Sequence, residues 1–218
     1  MNPISVRMTQ GALARMSEFH EAIKNLYAAQ GLEFFEDLGR RNILMSRPQE
    51  KFFAEELKEK YPLAHADGKT GQPDIIVPEI SKEIECKITS KGKSGSWSLQ
   101  TDYNTLKTKG KLDYLYVLCS PEFEKFSVLY FEGLDVSDFR NPSPGSRGKS
   151  QMVLWKAMKK CTVLWGGVEN LSDQNRAKVE ALLADAKNID KHSLKKLIKR
   201  KKFWNTTPDR FRFVLEEI

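Results

Sequence analysis

Cysteine and histidine are both scarce, at three of each in 218 residues. Cys86, Cys119 and Cys161 are odd in number, widely spaced and set inside apolar runs. That arrangement offers neither zinc-ligand spacing nor a disulfide framework, and it reads as three small buried hydrophobes in a reducing cytoplasm. His20, His65 and His192 stand alone in the sequence, which argues against a histidine metal cluster. Long hydrophobic runs are missing too. None approaches the roughly 18 to 20 residues a membrane helix needs, so no membrane partner is expected. "MNPISVRMTQ" lacks the apolar core of a secretory signal, which makes a cytoplasmic protein the expectation. Internal repeats and low-complexity segments are absent as well.

What remains is an ordinary globular composition, 40% hydrophobic and 30% charged, in a chain long enough for one sizeable core. The charge balance carries more information. Lys plus Arg is 36 against 29 Asp plus Glu, a net charge of +7. A basic surplus of this size favours a polyanionic partner, although many proteins carry one without such a role.

Hydrophobic periodicity divides the chain. Residues 5 to 38 read as mainly helical, with Leu13, Met16, Ile23, Leu26 and Tyr27 at spacings near three and four. A basic link, "GRRNILMSRP", follows, and Pro48 suits the first turn of a new helix, "QEKFFAEELKEKY". From residue 66 the period shortens: "PDIIVP" and "KEIECKIT" read as two strands joined by a turn. "LQTDYNTLKTKG" reads as a helix stopped by Gly110. "LDYLYVLC" and "FSVLYFE" are two further strands, the first apolar enough to be central in a sheet. "RNPSPGSRGKSQ" is a loop by composition. "MVLWKAMKK" reads as a helix, "CTVLWGG" as a short strand, residues 172 to 200 as two helices and "FRFVLEEI" as a closing strand. The pattern predicts an α/β chain with one mixed sheet.

Chemistry concentrates at the strand pair. Alternation along "KEIECKIT" puts Ile84, Cys86 and Ile88 on one face and Glu83, Glu85 and Lys87 on the other. If Asp74 opens the neighbouring strand, a hairpin brings its carboxylate to Glu85 and Lys87. Mg²⁺ takes hard oxygen ligands, keeps several waters and uses one or two protein carboxylates. Asp74 and Glu85 supply such a partial cage, and Lys87 is suited to orient a water or to offset charge on a phosphate. The bare acid-x-Lys pattern is weak, because Glu56-Leu57-Lys58 and Asp185-Ala186-Lys187 also match it. The trio also reads as the solvated outer face of a hairpin.

Pro73-Asp74, ten intervening residues and then Glu85-Cys86-Lys87 resemble the signature of the PD-(D/E)XK nuclease superfamily. The resemblance covers about residues 48 to 131. It implies a restriction-endonuclease-like core, a central mixed β-sheet flanked by helices, with extra N- and C-terminal helices. It also implies metal ligation by Asp74, Glu85 and the carbonyl of Cys86, with Lys87 as the catalytic lysine and Mg²⁺ as cofactor, replaceable by Mn²⁺. An acid on the preceding helix often assists such sites; Glu50 is the first choice and Glu55 the second, while Glu50 also suits simple compensation of a helix dipole. Gln100 fits a polar position on the following helix.

Several segments carry side chains suited to DNA, each with a plainer reading beside it. Lys91, Lys93, Ser94, Ser96 and Trp97 form a Gly-rich loop after the acidic strand, suited to phosphates or simply solvated. Arg147, Lys149, Ser150 and Gln151 are compatible with base edges in the major groove, or form an ordinary surface loop. Arg40, Arg41 and Arg47 surround Met45, which either tucks under the core or wedges between base pairs. The lysine-rich stretch from Lys187 to Lys202 adds phosphate affinity or solubility.

The expectation from sequence is therefore one endonuclease domain over residues 1–218. A helical N-terminal arm covers 1–47, the catalytic core 48–131, and a recognition loop with a basic helical part 132–218. By resemblance it acts on double-stranded DNA as a type II restriction enzyme, leaves 5′-phosphates and works as a homodimer, with Leu13, Met16, Phe19 and Ile23 as a dimer surface or as core. A structure-specific repair or junction-resolving nuclease and a non-enzymatic nucleic-acid-binding protein are the alternatives.

Overall fold

Two capped helices begin the chain. In the computed structural model, which describes residues 2–34, 36–69, 72–90 and 97–166, α1 runs Val6–Ala29. Its N-cap Ser5 accepts the Met8 backbone N–H at 3.1 Å, satisfying one of the donors a helix start leaves open. Met8, Ala12, Leu13, Met16 and His20 form its buried stripe. The helix stops at Ala29, short of the predicted residue 38, because Gly31 turns the chain with φ of 68°. Leu13 and Met16 are buried in the core, so they are unavailable as the dimer surface considered for them.

The second helix, α2, spans Leu38–Leu57 and absorbs the segment predicted to be a link. Asp37 caps it by accepting from Gly39 and Arg40 N–H. Arg41, Met45, Pro48, Gln49, Phe53 and Leu57 then recur on one buried face. Pro48 lies inside the helix rather than at its first turn. Proline keeps a helical φ and forfeits one N–H donor; burial of the stripe on both sides of it holds the helix together.

The remaining elements are β1 (His65–Ala66), β2 (Ile75–Val77), β3 (Lys82–Ser90), β4 (Gln100–Asp102), α3 (Tyr103–Lys109), β5 (Leu112–Cys119), β6 (Phe126–Leu134), β7 (Lys149–Gln151), α4 (Leu154–Ala157) and β8 (Cys161–Trp165). Six of the strands form one mixed sheet in the order β1-β2-β3-β5-β6-β8. Only β3 and β5 run parallel in it; the other neighbours are antiparallel. β5 is buried along its whole length, as a central strand of apolar sequence should be.

Helices α1 and α2 cover one face of the sheet. Met8, Met16, Met45, Phe53 and Leu57 there join Ile75, Ile84, Cys86, Leu115 and Val117 in one cluster. The other face is capped by α3 and by a small ribbon in which β4 pairs with β7. Tyr114 and Tyr116 bind this ribbon: the Tyr114 hydroxyl lies 2.6 Å from Thr101 Oγ1, and Tyr116 donates to the Gln100 carbonyl at 2.8 Å. The helix predicted from Leu99 therefore starts only at Tyr103, where Asp102 caps it. Gly110 ends it as expected, with φ of 79°. Likewise Lys149, Ser150 and Gln151 belong to β7 rather than to a loop.

All of these elements lie in one compact unit, Met1–Trp165. The helices predicted over 172–200, the lysine-rich stretch and the closing strand lie outside the described residues.

Candidate functional site

The turn between β2 and β3 places the acids. A short 3₁₀ segment, Pro78–Ile80, and a left-handed Ser81 (φ 50°) reverse the chain. The register then pairs Val77 with Lys82, Ile76 with Glu83 and Ile75 with Ile84. One step further along that ladder, Asp74 lies across from Glu85. β2 pairs with β3 no further than Ile84, so the edge of β3 beyond that residue is free of β2. Cys86 N–H, on that edge, donates to Asp74 Oδ2 at 2.7 Å. A strand residue sends its N–H and C=O out of the same edge, so the Cys86 carbonyl leaves on the side of Asp74. The Cys86 side chain is buried on the opposite, apolar face, and burial pushes its thiol well up. The carbonyl, not the sulfur, is thus the Cys86 atom available to the site.

Glu85 and Lys87 share a face of β3, and Lys87 Nζ donates to Glu85 Oε1 at 2.5 Å. Burial pulls the Lys87 ammonium toward deprotonation, but Glu85 and Asp74 more than reverse that, and its pKa ends above the ordinary lysine value. Lys87 is therefore a fixed cation at neutral pH. Asp74 behaves in the opposite way. Burial, then the neighbouring Glu85 carboxylate, push it up to about 7, against the pull of Lys87 and of the Cys86 N–H.

The helix supplies one more acid. Glu50 is buried on α2 and accepts from Arg47 Nη1 at 2.6 Å. Burial raises its pKa, Arg47 and Lys87 lower it, and Glu85 raises it again; Glu50 in turn adds to the rise at Asp74. Glu50 thus belongs electrostatically to the strand acids. Glu55, the second choice, pairs with Arg15 and lies 4.0 Å from Lys51.

Gln49 is a residue that sequence reasoning missed. It is fully buried beside Glu50, and its Nε2 donates to the Lys87 carbonyl at 3.3 Å and to the Leu115 carbonyl at 3.0 Å. It therefore clips α2 to β3 and β5 at the lysine. The signal was its place on the 41-45-49-53 stripe, a polar residue at a core position.

The side chains proposed for DNA are scattered in their roles. Arg41 is 1% exposed and bonds to the Pro121 carbonyl and Ser90 Oγ at the ends of the central strands. Met45 is 0% exposed and belongs to the core. Neither reaches a surface, which corrects the reading of Arg41 as a DNA contact and of Met45 as a wedge: the helical stripe turns both inward. Ser150 is also buried, donating to the Arg140 carbonyl, so it is not a base reader. Gln100 is on β4, not on the following helix, and contributes its carbonyl to Tyr116. Arg40, Arg47, Arg147, Lys149 and Gln151 are solvent-accessible, and Gln151 donates to Ser98 at 3.1 Å. Trp97 is half-buried. Lys91, Lys93, Ser94 and Ser96 lie outside the described residues.

Among the described residues, no group of three or more His, Cys, Asp or Glu side chains is spaced to hold a metal ion. The donors that Asp74, Glu85 and the Cys86 carbonyl offer are oxygens alone. That donor set fits Mg²⁺, a hard cation that retains waters, and it does not fit zinc. The upward push on Asp74 is the physical counterpart: carboxylates crowded in a half-buried place favour an added positive charge. No protein-family model matches the chain, and no curated protein matches it in sequence.

Proposed function

We propose that the chain is a Mg²⁺-dependent endonuclease of double-stranded DNA with a restriction-endonuclease-like core, resembling the type II restriction enzymes of the PD-(D/E)XK superfamily. One observation carries the reading. Asp74, Glu85 and Lys87, with the Cys86 backbone between the last two, meet along the stretch of β3 that β2 leaves unpaired, on a sheet whose other face is covered by helices. A solvated hairpin face explains exposed charges; it does not explain an Asp whose pKa is pushed to about 7 beside a fixed lysine cation. Perturbed groups of this kind concentrate at functional sites.

Asp74, Glu85 and the Cys86 carbonyl would hold the cation, which when bound supplies charge stabilisation at phosphate and a water of lowered pKa. Lys87, being an ammonium, acts as a donor and not as a base: it hydrogen-bonds to the attacking water oxygen and to a non-bridging phosphate oxygen. Glu50 adds negative charge on the helix side, and Gln49 keeps the Lys87 backbone in place. In hydrolysis the water oxygen bonds to phosphorus and releases a proton to solvent, the P–O3′ bond breaks with its electron pair, and O3′ takes up a proton from solvent. The products carry a 5′-phosphate and a 3′-hydroxyl. A homodimer would set two such sites on the two strands of a palindromic duplex.

The test is to compare the full chain with Lys87→Ala and Asp74→Ala on duplex DNA in Mg²⁺. Both substitutions should lower cleavage by orders of magnitude while DNA binding persists. Unchanged cleavage in both variants, or no cleavage by the parent chain, overturns the proposal.

A further inference from the structure

We propose that the outer face of α2 and the edge strand β1 form a track for the DNA strand that flanks the scissile phosphate. The inference rests on the nuclease reading and extends it to residues that reading does not use. A groove of about 500 Å³ lies here, lined by Phe19, Arg47, Lys51, Phe52, Lys58 and His65 among others. Arg47 and Lys51 on α2 and Lys58 at its C-cap, still in helical backbone geometry, recur at spacings of four and seven, which sets them on one helical face. All three are exposed. At about 1.5 Å per residue they span roughly 16 Å, the axial length of about five nucleotides at 3.4 Å each.

The chemistry of the lining suits a sugar–phosphate backbone. Glu55 is the acid in the groove, and it is neutralised by Arg15 and Lys51. Lys58 has no acidic partner among the described residues. Phe19 and Phe52 meet edge to face, with ring centroids 6.5 Å apart, and give the cations an apolar floor on which deoxyribose can rest.

Arg47 connects the track to the site. Its guanidinium pairs with Glu50 and also lies over Gly68, where a Cβ would come within 1.5 Å of Nη1. Gly68, at φ of 62°, leaves the room that Arg47 occupies. A strand whose phosphate sits at Glu85 and Lys87 can therefore pass Arg47 and continue along Lys51 and Lys58.

The experiment measures the affinity of the full chain for a 30-base-pair duplex against salt, with Ca²⁺ replacing Mg²⁺ so that the DNA survives. Each phosphate contact contributes about 0.9 to the slope of log K against log salt. The Lys51→Ala/Lys58→Ala double variant should therefore lose about 1.8 from the slope, so that its affinity falls about twelvefold less than the parent's between 50 and 200 mM salt. A control double variant at two exposed lysines elsewhere, Lys111→Ala/Lys125→Ala, should keep the parental slope. A parental slope in the first variant, or an equal loss in the control, overturns the track while DNA cutting by the parent chain leaves the nuclease reading standing. A parent chain that neither binds nor cuts DNA overturns both.

Discussion

The Asp74 carboxylate accepts the Cys86 backbone N–H at 2.7 Å, tying the approach to β2 onto the middle of β3. That bond engages Oδ2 of the acid, just beyond the point where β2 stops pairing with β3. It also sets Asp74 beside Glu85, and burial of the Asp74 carboxylate, reinforced by repulsion from Glu85, has a measurable consequence.

Asp74 titrates near 3.9 in an unfolded chain and at about 7 in the folded one. The folded state therefore binds the proton more tightly. The associated stability is fully present below the unfolded pKa and is lost as pH rises through the folded value. Without divalent cation, Asp74→Asn should gain stability relative to the parent between pH 4 and 7, by on the order of 2 to 4 kcal/mol. Thermal melts across that range check this, and parallel curves for the two proteins would contradict it.

Lys87 is placed as a charged donor, so a neutral side chain of similar length should remove its effect on turnover and spare binding. Lys87→Met should lower kcat by about 10²- to 10³-fold, with the dissociation constant for DNA within a few-fold of the parent. Single-turnover kinetics paired with an equilibrium binding assay separate the two quantities. A variant with parental kcat would remove Lys87 from the chemistry.

Gln49 tests whether the helix holds the lysine strand. Gln49→Leu keeps the bulk but removes both donors to the Lys87 and Leu115 carbonyls. Unfolding free energy should fall by about 1 to 3 kcal/mol, and cleavage should fall further than the lost stability accounts for. Parental cleavage per folded molecule would show that the clip has no part in positioning.

Met45 distinguishes core from DNA wedge. Burial at 0% exposure predicts that Met45→Ala costs about 2 to 5 kcal/mol of stability and leaves DNA bending unchanged. A denaturant titration and a gel-based bending assay give both readouts. A stable variant with altered bending would restore the wedge.

Period and turn chemistry made much of the sheet legible. The alternation of "KEIECKIT" placed Glu85 and Lys87 on one face of β3, and the unbroken apolar run of "LDYLYVLC" marked β5 as central. The Pro-Glu-Ile-Ser turn gave the hairpin, and Gly110 the end of α3. α2 is longer than its sequence predicts: Pro48 suits a first turn, but the 41-45-49-53 stripe runs straight through it. That same stripe buries Arg41 and Met45, which a list of basic and apolar residues could not reveal. Pairing of β4 with β7 joins segments nearly fifty residues apart, and no local pattern encodes it. The acids of the site were visible, whereas Gln49 and the Arg47–Glu50 pair depend on how α2 lies against the sheet.

The most direct measurement is digestion of phage DNA by the purified full chain, with Mg²⁺ and with EDTA, followed by sequencing of the ends. A discrete set of fragments is expected in Mg²⁺ only, each end bearing a 5′-phosphate at one recurring sequence. Intact DNA under both conditions, or cutting that is indifferent to EDTA, would contradict it.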